Sequence, residues 1–418
     1  MWICQLIFVV YFAFLAFKFR KAALALFPCS LLMTTLPLVT LGTVVVGLNF
    51  ALQTLFCMFY LFRKRISWKF GGFPFKTAMA VSCAVIVLCA LFGESRTPFY
   101  IIISSLLNTI MPLLIWPLLN RKENICFVIK SFVACLLVIV GYGLIEFLLQ
   151  KNVLLDYIQS TTSVTIYHSH IDDVRFGFGR CSSLFDFPIP FGDVCAMFFC
   201  FFALLYKHSY AFLSGRLLAG LLVACSVGVV LANSRASLVA YLIGWLLLLG
   251  KFNIKSFLLL LVAFSFLYMF GAEYISANIA SMTGEDDIGG SSSEARVRQL
   301  QISIMELMRN PFFGGGESRI SYAQDSYWGS YGLESVVFVL MIGKGLTGLC
   351  SYFYTYISLF VKVPRILRTE AFIIATSWVV AACFSLTTGV DITFPMILVL
   401  VVIKASQFGI IKIEKNGI

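Results

Sequence analysis

The stretch SSSEARVRQLQISIMELMRNPFFGGGESRISYAQDSYWGSYGLESVVFVLMIGKGLTG, residues 291–348, organises this chain. It begins in the longest polar interval of the sequence and ends inside an apolar run. It carries a glycine-rich turn at Gly314–Gly316 and places Glu334 at the start of the apolar run. Its four arginines are Arg296, Arg298, Arg309 and Arg319. We expect the rest of the chain to hold this stretch on one side of a membrane.

Composition defines the class of protein. Of 418 residues, 60% are hydrophobic and 12% are charged, whereas soluble domains carry about 25% charged residues. Runs of apolar residues recur along the chain, and about 20 such residues cross a bilayer as a helix. Backbone groups in lipid must be paired within their own segment. We therefore predict an all-α fold, a polytopic transmembrane bundle of about 12–13 helices forming a single integral membrane domain over residues 1–418.

The apolar runs predict where the spans lie. They cover about 2–17, 22–38, 43–62, 77–92, 99–118, 125–149, 188–206, 217–232, 236–250, 256–271, 335–361, 371–388 and 393–410. Residues 22–62 are compatible with two short helices turning at Pro37 and Gly42, or with one long broken element. The first run lacks a basic n-region and a small-residue cleavage site, which favours a retained span over a signal peptide.

Charge orients the predicted spans. Alternate loops are basic, and by the positive-inside rule they face the cytoplasm. These loops are 18–21, 63–76, 121–130, 207–216, 251–255, 362–368 and the tail 412–415. The net charge of +11 follows this topology, so it does not indicate nucleic-acid binding. Twelve of the 13 cysteines lie in apolar runs, where cysteine behaves as a small hydrophobic residue.

The opposite face carries two long loops, 150–187 and 272–333, which we predict to be periplasmic. Its cations are arginines, with Lys151 as the one lysine; they are Arg96, Arg175, Arg180, Arg235, Arg296, Arg298, Arg309 and Arg319. Translocation bias explains the missing lysines but not the eight arginines. The guanidinium fork binds phosphate and carboxylate groups in a bidentate way. The pattern favours a surface that handles phosphate or acidic groups.

The second long loop contains a helix signal. Ser291–Ser293 offer an N-cap, and Glu294 lies in the first turn. Apolar residues then recur at helical spacing, at Val297, Leu300, Ile304, Leu307 and Met308. Pro311 and the glycines end the helix. We predict an amphipathic helix of about four turns, outside the membrane or at its interface.

Other charged residues have competing explanations. Arg235, in the turn Asn233-Ser234-Arg235, is either a cation at the membrane boundary that binds an anion or an arginine that snorkels from a tight helix–helix turn. His168, His170, Asp172 and Asp173 are metal ligands by type, but their spacing is weak and favours an ordinary solvated loop. Lys344 lies inside an apolar run, where it pairs with an acid or lines a cavity.

Three segments resemble the O-antigen polymerase and O-antigen ligase superfamily, membrane proteins that use polyprenyl-pyrophosphate-linked glycans. Residues 180–192, RCSSLFDFPIPFG, resemble the family's segment before a span. Residues 231–240, LANSRASLVA, resemble its Ser-Arg turn. Residues 294–316, EARVRQLQISIMELMRNPFFGGG, are similar to its Arg, amphipathic helix, Asn-Pro and Gly-x-Gly sequence. A fourth position departs from the pattern, because Glu334 stands where ligases are expected to have His.

The resemblance implies a GT-C-like fold in the bacterial inner membrane, with the active site on the periplasmic face. It implies a polyprenyl-pyrophosphate-linked oligosaccharide as substrate and no cofactor or metal; a chain-length regulator is a further candidate partner. Arg235 and Arg296 match the family's arginines and would stabilise the pyrophosphate, with Glu334 assisting a sugar hydroxyl. The candidates for further substrate binding are Arg298, Arg180, Gly314, Gly316 and Arg319.

Three functions remain open from the sequence. A repeat-unit polymerase fits the departure at Glu334 best, because acids occur there in polymerases. A ligase that moves finished polysaccharide onto a lipid A core is the alternative within the enzyme class. A flippase for lipid-linked oligosaccharide is the alternative of another class. The flippase is disfavoured because transporters typically contain internal repeats and broken helices near the midplane, and the sequence offers no convincing repeat.

Overall fold

The computed structural model describes most of the bundle and part of both long loops. The described residues are 37–41, 44–62, 72–93, 98–161, 174–175, 178–208, 213–248, 293–327, 333, 335–384 and 393–411. The predicted spans 2–17 and 256–271 lie outside these ranges, as do His168, His170, Asp172, Asp173 and Glu334.

The described chain opens with a β-hairpin and not with a helix. Strand β1, Pro37–Leu41, pairs antiparallel with strand β2, Val44–Gly47. The prediction that a span begins at residue 43 is therefore wrong, because helix α1 starts only at Leu48. The run Val44-Val45-Val46 supplies β-branched residues, which favour the extended backbone. A second, two-residue pair joins β3, Val174–Arg175, to β4, Phe178–Gly179.

The remainder of the described chain is helical. The helices are α1 Leu48–Phe62, α2 Lys76–Phe92, α3 Pro98–Ile115, α4 Lys122–Leu149, α5 Val153–Thr161, α6 Pro188–Lys207, α7 Gly215–Ala232, α8 Arg235–Trp245, α9 Ser293–Arg309, α10 Gly316–Tyr327, α11 Val336–Val361, α12 Arg368–Phe384 and α13 Thr393–Gln407. Within the described ranges, six helical segments are long and apolar enough to cross a membrane. They correspond to α3, α4, α6, α7, α11 and α12, and they confirm a polytopic helical bundle.

Helix α6 is the centre of the bundle, since nearly all of its residues are buried. Phe198 packs edge-to-face against Phe132 of α4 and Phe394 of α13. Small residues let the neighbouring helices approach closely. A Cβ on Gly228 of α7 would lie 2.4 Å from the Sγ of Cys195. Because α6 is enclosed by protein, its side chains form the packed core, whereas the outer spans provide the surface that faces lipid.

Contacts along α6 fix the direction of its neighbours. Cys200 Sγ contacts Ser377 Oγ of α12 at 3.7 Å, and Lys207 Nζ contacts Glu370 Oε1 at 3.1 Å. Rising residue numbers on α6 therefore meet falling numbers on α12, so the two helices are antiparallel. Helix α8 is parallel to α6, because Gly192 adjoins Ser237 whereas Gly244 adjoins Cys200.

The described bundle has one basic end. There α6 and α11 finish, and α4, α7 and α12 begin; its cations include Lys122, Lys207, Arg216, Lys362 and Arg368. Lys404 Nζ, near the end of α13, donates to Asn120 Oδ1 at 2.7 Å in the turn after α3. We refer to this as the basic end and to the other as the opposite end. Their separation agrees with the alternation of loops predicted from charge.

The polar stretch 293–327 lies at the opposite end. Helix α2 runs antiparallel to α11, since Ser82 Oγ contacts Thr355 Oγ1 at 3.1 Å and Cys89 Sγ contacts the Lys344 carbonyl at 3.6 Å. The end of α2 then meets the polar stretch, where Phe92 stacks on Phe313 with ring centroids 4.9 Å apart. The predicted helix after Ser291 is confirmed as α9. Helices α5 and α10, within the two long loops, were not predicted.

Candidate functional site

Arg180 is held at the opposite end by a backbone segment that two helices bind. The N–H of Cys181 donates to the Leu231 carbonyl at the end of α7, with a distance of 3.0 Å. The N–H groups of Ser182 and Ser183 donate to the Glu146 carboxylate of α4 at 3.1 and 2.6 Å. Arg180 itself is buried. The segment before α6 is thus fixed from both sides.

Asn152 adds a second support to the same segment. Its Nδ2 donates to Ser182 Oγ at 3.1 Å and to the Ser183 carbonyl at 2.9 Å. Its Oδ1 accepts from Tyr142 Oη at 3.1 Å. Sequence reasoning missed Glu146 and Asn152, because 30–37 residues separate them from the serines they bind. The available signal in the sequence was Glu146 itself, because an acidic residue near the end of an apolar run indicates a buried polar partner.

Arg235 begins α8 after a turn whose conformation suits its residues. Asn233 adopts the left-handed region with φ 47°, which Asn tolerates better than most side chains. The turn packs directly on the start of α6. Ser237 Oγ donates to Asp193 Oδ1 at 2.7 Å, and a Cβ on Gly192 would lie 2.5 Å from Ser237 Oγ. The first two family-like segments are therefore in contact.

Arg296 lies near the same level of the bundle. Its Cζ is 5.6 Å from the ring centroid of Phe384, the last residue of α12. The antiparallel pairing of α6 with α12 joins residue 207 to 370 and residue 200 to 377. Continued by two turns, it brings Phe384 level with Asp193, the partner of Ser237. The third family-like segment thus presents Arg296 at the end of the bundle that carries Arg235 and Arg180.

The other arginines of the polar stretch occupy two environments. Arg298 is exposed. Arg319 forms a bidentate pair with the buried Glu306, with Nε 2.5 Å from Oε2 and Nη2 3.0 Å from Oε1. Arg309 Nη1 donates to the same carboxylate at 2.7 Å. Substrate binding by Arg298 and Arg319 stays a prediction, and the Arg319 fork joins α10 to α9.

The glycine-rich turn between α9 and α10 docks on a break in α11. Gly345 has φ 62° and ψ −158°, so the helix is interrupted there. The turn pairs with the backbone groups at the break. Gly315 N–H donates to the Ile342 carbonyl at 2.8 Å, while Leu346 N–H donates to the Pro311 carbonyl at 2.8 Å. Buried backbone groups need such partners, and here the loop supplies them.

Gly314 and Gly345 have to be glycine at this junction. A Cβ on Gly314, where φ is 70°, would lie 2.4 Å from the Lys344 nitrogen. A Cβ on Gly345 would lie 2.7 Å from the Gly314 nitrogen. Gly316 also has a positive φ, of 75°, and begins α10. The structure places Gly314 and Gly316 in this junction, so their candidate role in substrate binding stays untested.

Asp186 is an acidic residue of the 180–192 segment that sequence reasoning passed over. Burial raises the pKa of its carboxyl to about 6, against the effect of hydrogen bonds from the Asp186 and Phe187 N–H groups, which lower the pKa. Its Oδ1 is buried without a hydrogen-bond partner. A carboxyl of this kind is protonated and ionised in comparable amounts near pH 6, which suits proton transfer.

Among the residues that the structure describes, no cluster of three or more His, Cys, Asp or Glu side chains is arranged to hold a metal ion. The candidates His168, His170, Asp172 and Asp173 fall outside these ranges, and their role stays untested.

Fold and site together define a class: a multi-pass helical membrane protein with Arg180, Arg235 and Arg296 at one end of its bundle. A family model described as O-antigen ligase matches residues 220–353. The match confirms the resemblance to the O-antigen ligase and polymerase superfamily, whose members are glycosyltransferase-like enzymes. It spans Arg235, Arg296 and the glycine-rich junction. A comparison with curated proteins finds no significant match.

Proposed function

We propose that this protein polymerises lipid-linked oligosaccharide repeat units at the periplasmic face of the bacterial inner membrane. It would transfer the growing glycan from polyprenyl pyrophosphate to a sugar hydroxyl of the next lipid-linked unit. The observation that carries the proposal is the gathering of Arg180, Arg235 and Arg296 at one end of the bundle. The family match to residues 220–353 supports the substrate class.

The chemistry assigns a role to each group. The bond from the anomeric carbon to the pyrophosphate oxygen breaks, a bond to the acceptor hydroxyl oxygen forms, and polyprenyl pyrophosphate leaves. Negative charge grows on the leaving group, and fixed cations in a partly dry site stabilise it. Arg235 and Arg296 take this role without a metal, and Arg180 and Arg298 assist. A carboxylate accepts the hydroxyl proton, and Glu334 is the candidate from the family pattern.

The pyrophosphate assignment predicts a ranking among arginine variants. Arg235→Ala and Arg296→Ala should each lower chain lengthening by about 10²–10³-fold, the usual loss when one transition-state donor is removed. Arg298→Ala should lose less, because its side chain is exposed. Arg216→Ala at the basic end is the matched control. The measurement is the glycan ladder from reconstituted protein, with membrane accumulation of each variant checked by immunoblot.

Near-normal ladders from Arg235→Ala or Arg296→Ala would overturn the assignment. Glu334→Gln distinguishes a base from a positioning residue: a base loses nearly all activity, whereas a residue that only accepts a hydrogen bond retains most of it.

Ligation is the second candidate, because the family match includes ligases as well as polymerases and does not distinguish between them. Deleting the gene separates the two activities. Loss of a polymerase leaves surface molecules bearing one repeat unit, whereas loss of a ligase leaves none and lets long lipid-linked polymer accumulate. Preformed lipid-linked repeat units in vesicles exclude the flippase reading if ladders appear, since a flippase makes no product.

A further inference from the structure

Helix α9 is amphipathic, but the protein packs against its polar side. The buried side chains of its middle turns are Gln299, Ser303 and Glu306, with Ser303 at 0% exposure. Glu306 is held there by Arg309 and Arg319. In a water-soluble protein the apolar side of such a helix faces the core. The orientation of α9 is the reverse.

The apolar side forms an exposed stripe. Its members recur every three or four residues and are Val297, Leu300, Ile304 and Met308, with Met308 at 76% exposure. Phe312 extends the stripe beyond the end of the helix. Arg298 and Arg309 lie about 120° around the helix from the centre of the stripe, at 100° per residue. Apolar side chains exposed in such a row need apolar surroundings.

The stripe is continuous with surface that must face lipid. Exposed side chains descend one side of the span α11 from Leu346 to Val361. The stripe joins this surface where Thr347 Oγ1 donates to the Phe312 carbonyl at 2.8 Å. On the other flank the exposed Phe92, at the end of α2, stacks on Phe313. The apolar surfaces of α11 and α2 therefore adjoin the C-terminal end of α9 on its two flanks, with Thr347 at the junction with α11.

The depth of α9 follows from the length of α11 below it. Fifteen steps from Leu346 to Val361 cover about 22 Å at 1.5 Å per residue. Lys362 then marks the basic boundary of the bilayer, whose hydrocarbon core is about 30 Å thick. Leu346 therefore lies about 8 Å below the other hydrocarbon boundary. Interfacial helices bury their apolar faces by about 5–10 Å, so α9 lies at the depth typical of that class.

From these observations we infer that α9 is an interfacial helix whose apolar stripe contacts the acyl chains of the bilayer leaflet at the opposite end. Arg298 and Arg309 would meet the lipid phosphate groups from the edge of the stripe. Insertion of the stripe would hold Arg296, on the same helix, at the level of the lipid headgroups. This last step rests on the proposed function, because it is there that the pyrophosphate of a lipid-linked substrate lies.

Photocrosslinking tests the contact directly. A benzophenone amino acid replaces Ile304 in the stripe or, as the control, Arg298 at its edge, in full-length protein reconstituted in phospholipid vesicles without polyprenyl substrate. Phospholipid adducts should form at position 304 and be at least about fivefold fewer at position 298. Equal yields, no phospholipid adduct, or an adduct with a second copy of the chain would each overturn the inference. So would adducts that form only after a polyprenyl lipid is added, since they would make the stripe a substrate groove.

Two lysine substitutions, one on the stripe and one off it, test whether the stripe positions Arg296. Ile304→Lys should lower ladder formation about tenfold by drawing α9 away from the lipid, because catalysis depends on exact placement of the reacting groups. Asn310→Lys, exposed at the end of the same helix and about 120° from the centre of the stripe, should stay within about twofold. Normal ladders from Ile304→Lys would overturn the positioning role. If the gene deletion contradicts a polymerase, the adduct pattern still decides whether α9 is interfacial.

Discussion

Arg235 and Arg296 lie at the same end of the bundle, yet two different kinds of structure hold them. Arg235 stands on the packing around α6, where Gly192 lies against Ser237 and phenylalanines fill the core. Arg296 stands on α9, which is joined to the bundle by the Glu306 ion pairs and by backbone hydrogen bonds at Gly345. Apolar packing spreads its stability over many contacts. The polar attachment of α9 depends on a few contacts. Single substitutions should therefore affect the stability of the two regions differently.

The largest effect is expected at the glycine junction. In Gly314→Ala the methyl group meets the backbone of α11 and the residue keeps a positive φ, which together should cost about 4 kcal/mol. The ladder should be lost, and the thermal midpoint in detergent should fall. Gly72→Ala, with φ 85° and open space around it, isolates the conformational strain from the clash. Equal midpoints for the two variants would show that the junction tolerates a side chain.

The ion pair is the next weakest point. Glu306→Gln leaves two guanidinium groups beside a neutral amide and should destabilise the α9–α10 attachment by about 3 kcal/mol. Proteolysis within residues 310–315 should become faster, while the core around α6 keeps its unfolding midpoint. Glu317→Gln, exposed on α10, is the matched control. Unchanged proteolysis would mean that the backbone bonds alone hold α9.

In the region packed around α6, substitution of Asp186 should stabilise the protein, in contrast to the two destabilising substitutions above, and the effect should depend on pH. A carboxyl whose pKa rises from 3.8 to about 6 binds more protons in the folded protein, so stability falls as pH rises between those values. Asp186→Asn removes this cost and should stabilise the protein by about 3 kcal/mol at pH 7.5. The gain should disappear below pH 4. Asp156→Asn, in the surface pair with Lys151, should change stability little at either pH. A gain that persists at low pH would exclude ionisation as the cause.

The smallest effect should come from Gly192. In Gly192→Ala the added methyl group displaces Ser237 and should cost about 1–2 kcal/mol, because neighbouring helices can shift slightly. Chain lengthening should fall more than stability, since the turn carrying Arg235 moves with Ser237. Ser237→Gly in the same chain should restore much of the activity. Gly220→Ala, which meets open space, should be neutral. If chain lengthening did not recover in the double variant, the position of Arg235 would not depend on the Gly192–Ser237 contact.

Within the residues that the structure describes, the sequence predicted the six long apolar helices and α9 well, because each depends on local periodicity. The sequence predicted that α9 has an apolar side and a polar side, but not that the polar side packs against the protein. That orientation depends on Arg319, which lies 13 residues after its partner Glu306, and on α11, which follows a further loop. The sequence Gly343-Lys344-Gly345 is a local signal for the break in α11. No local signal predicts that the glycine-rich turn between α9 and α10 binds the backbone at this break. The hairpin at 37–47 was missed because hydropathy alone does not distinguish short apolar strands from helices.

The burial of α6 has a consequence for how the protein is made. This helix leaves the ribosome near the middle of synthesis, but two of its neighbours, α12 and α13, follow more than 150 residues later. Until then, one side of α6, which includes Cys200, lacks the partners it meets in the finished bundle. Truncated chains ending before residue 368 should therefore hold α6 loosely and be recognised by membrane quality-control proteases.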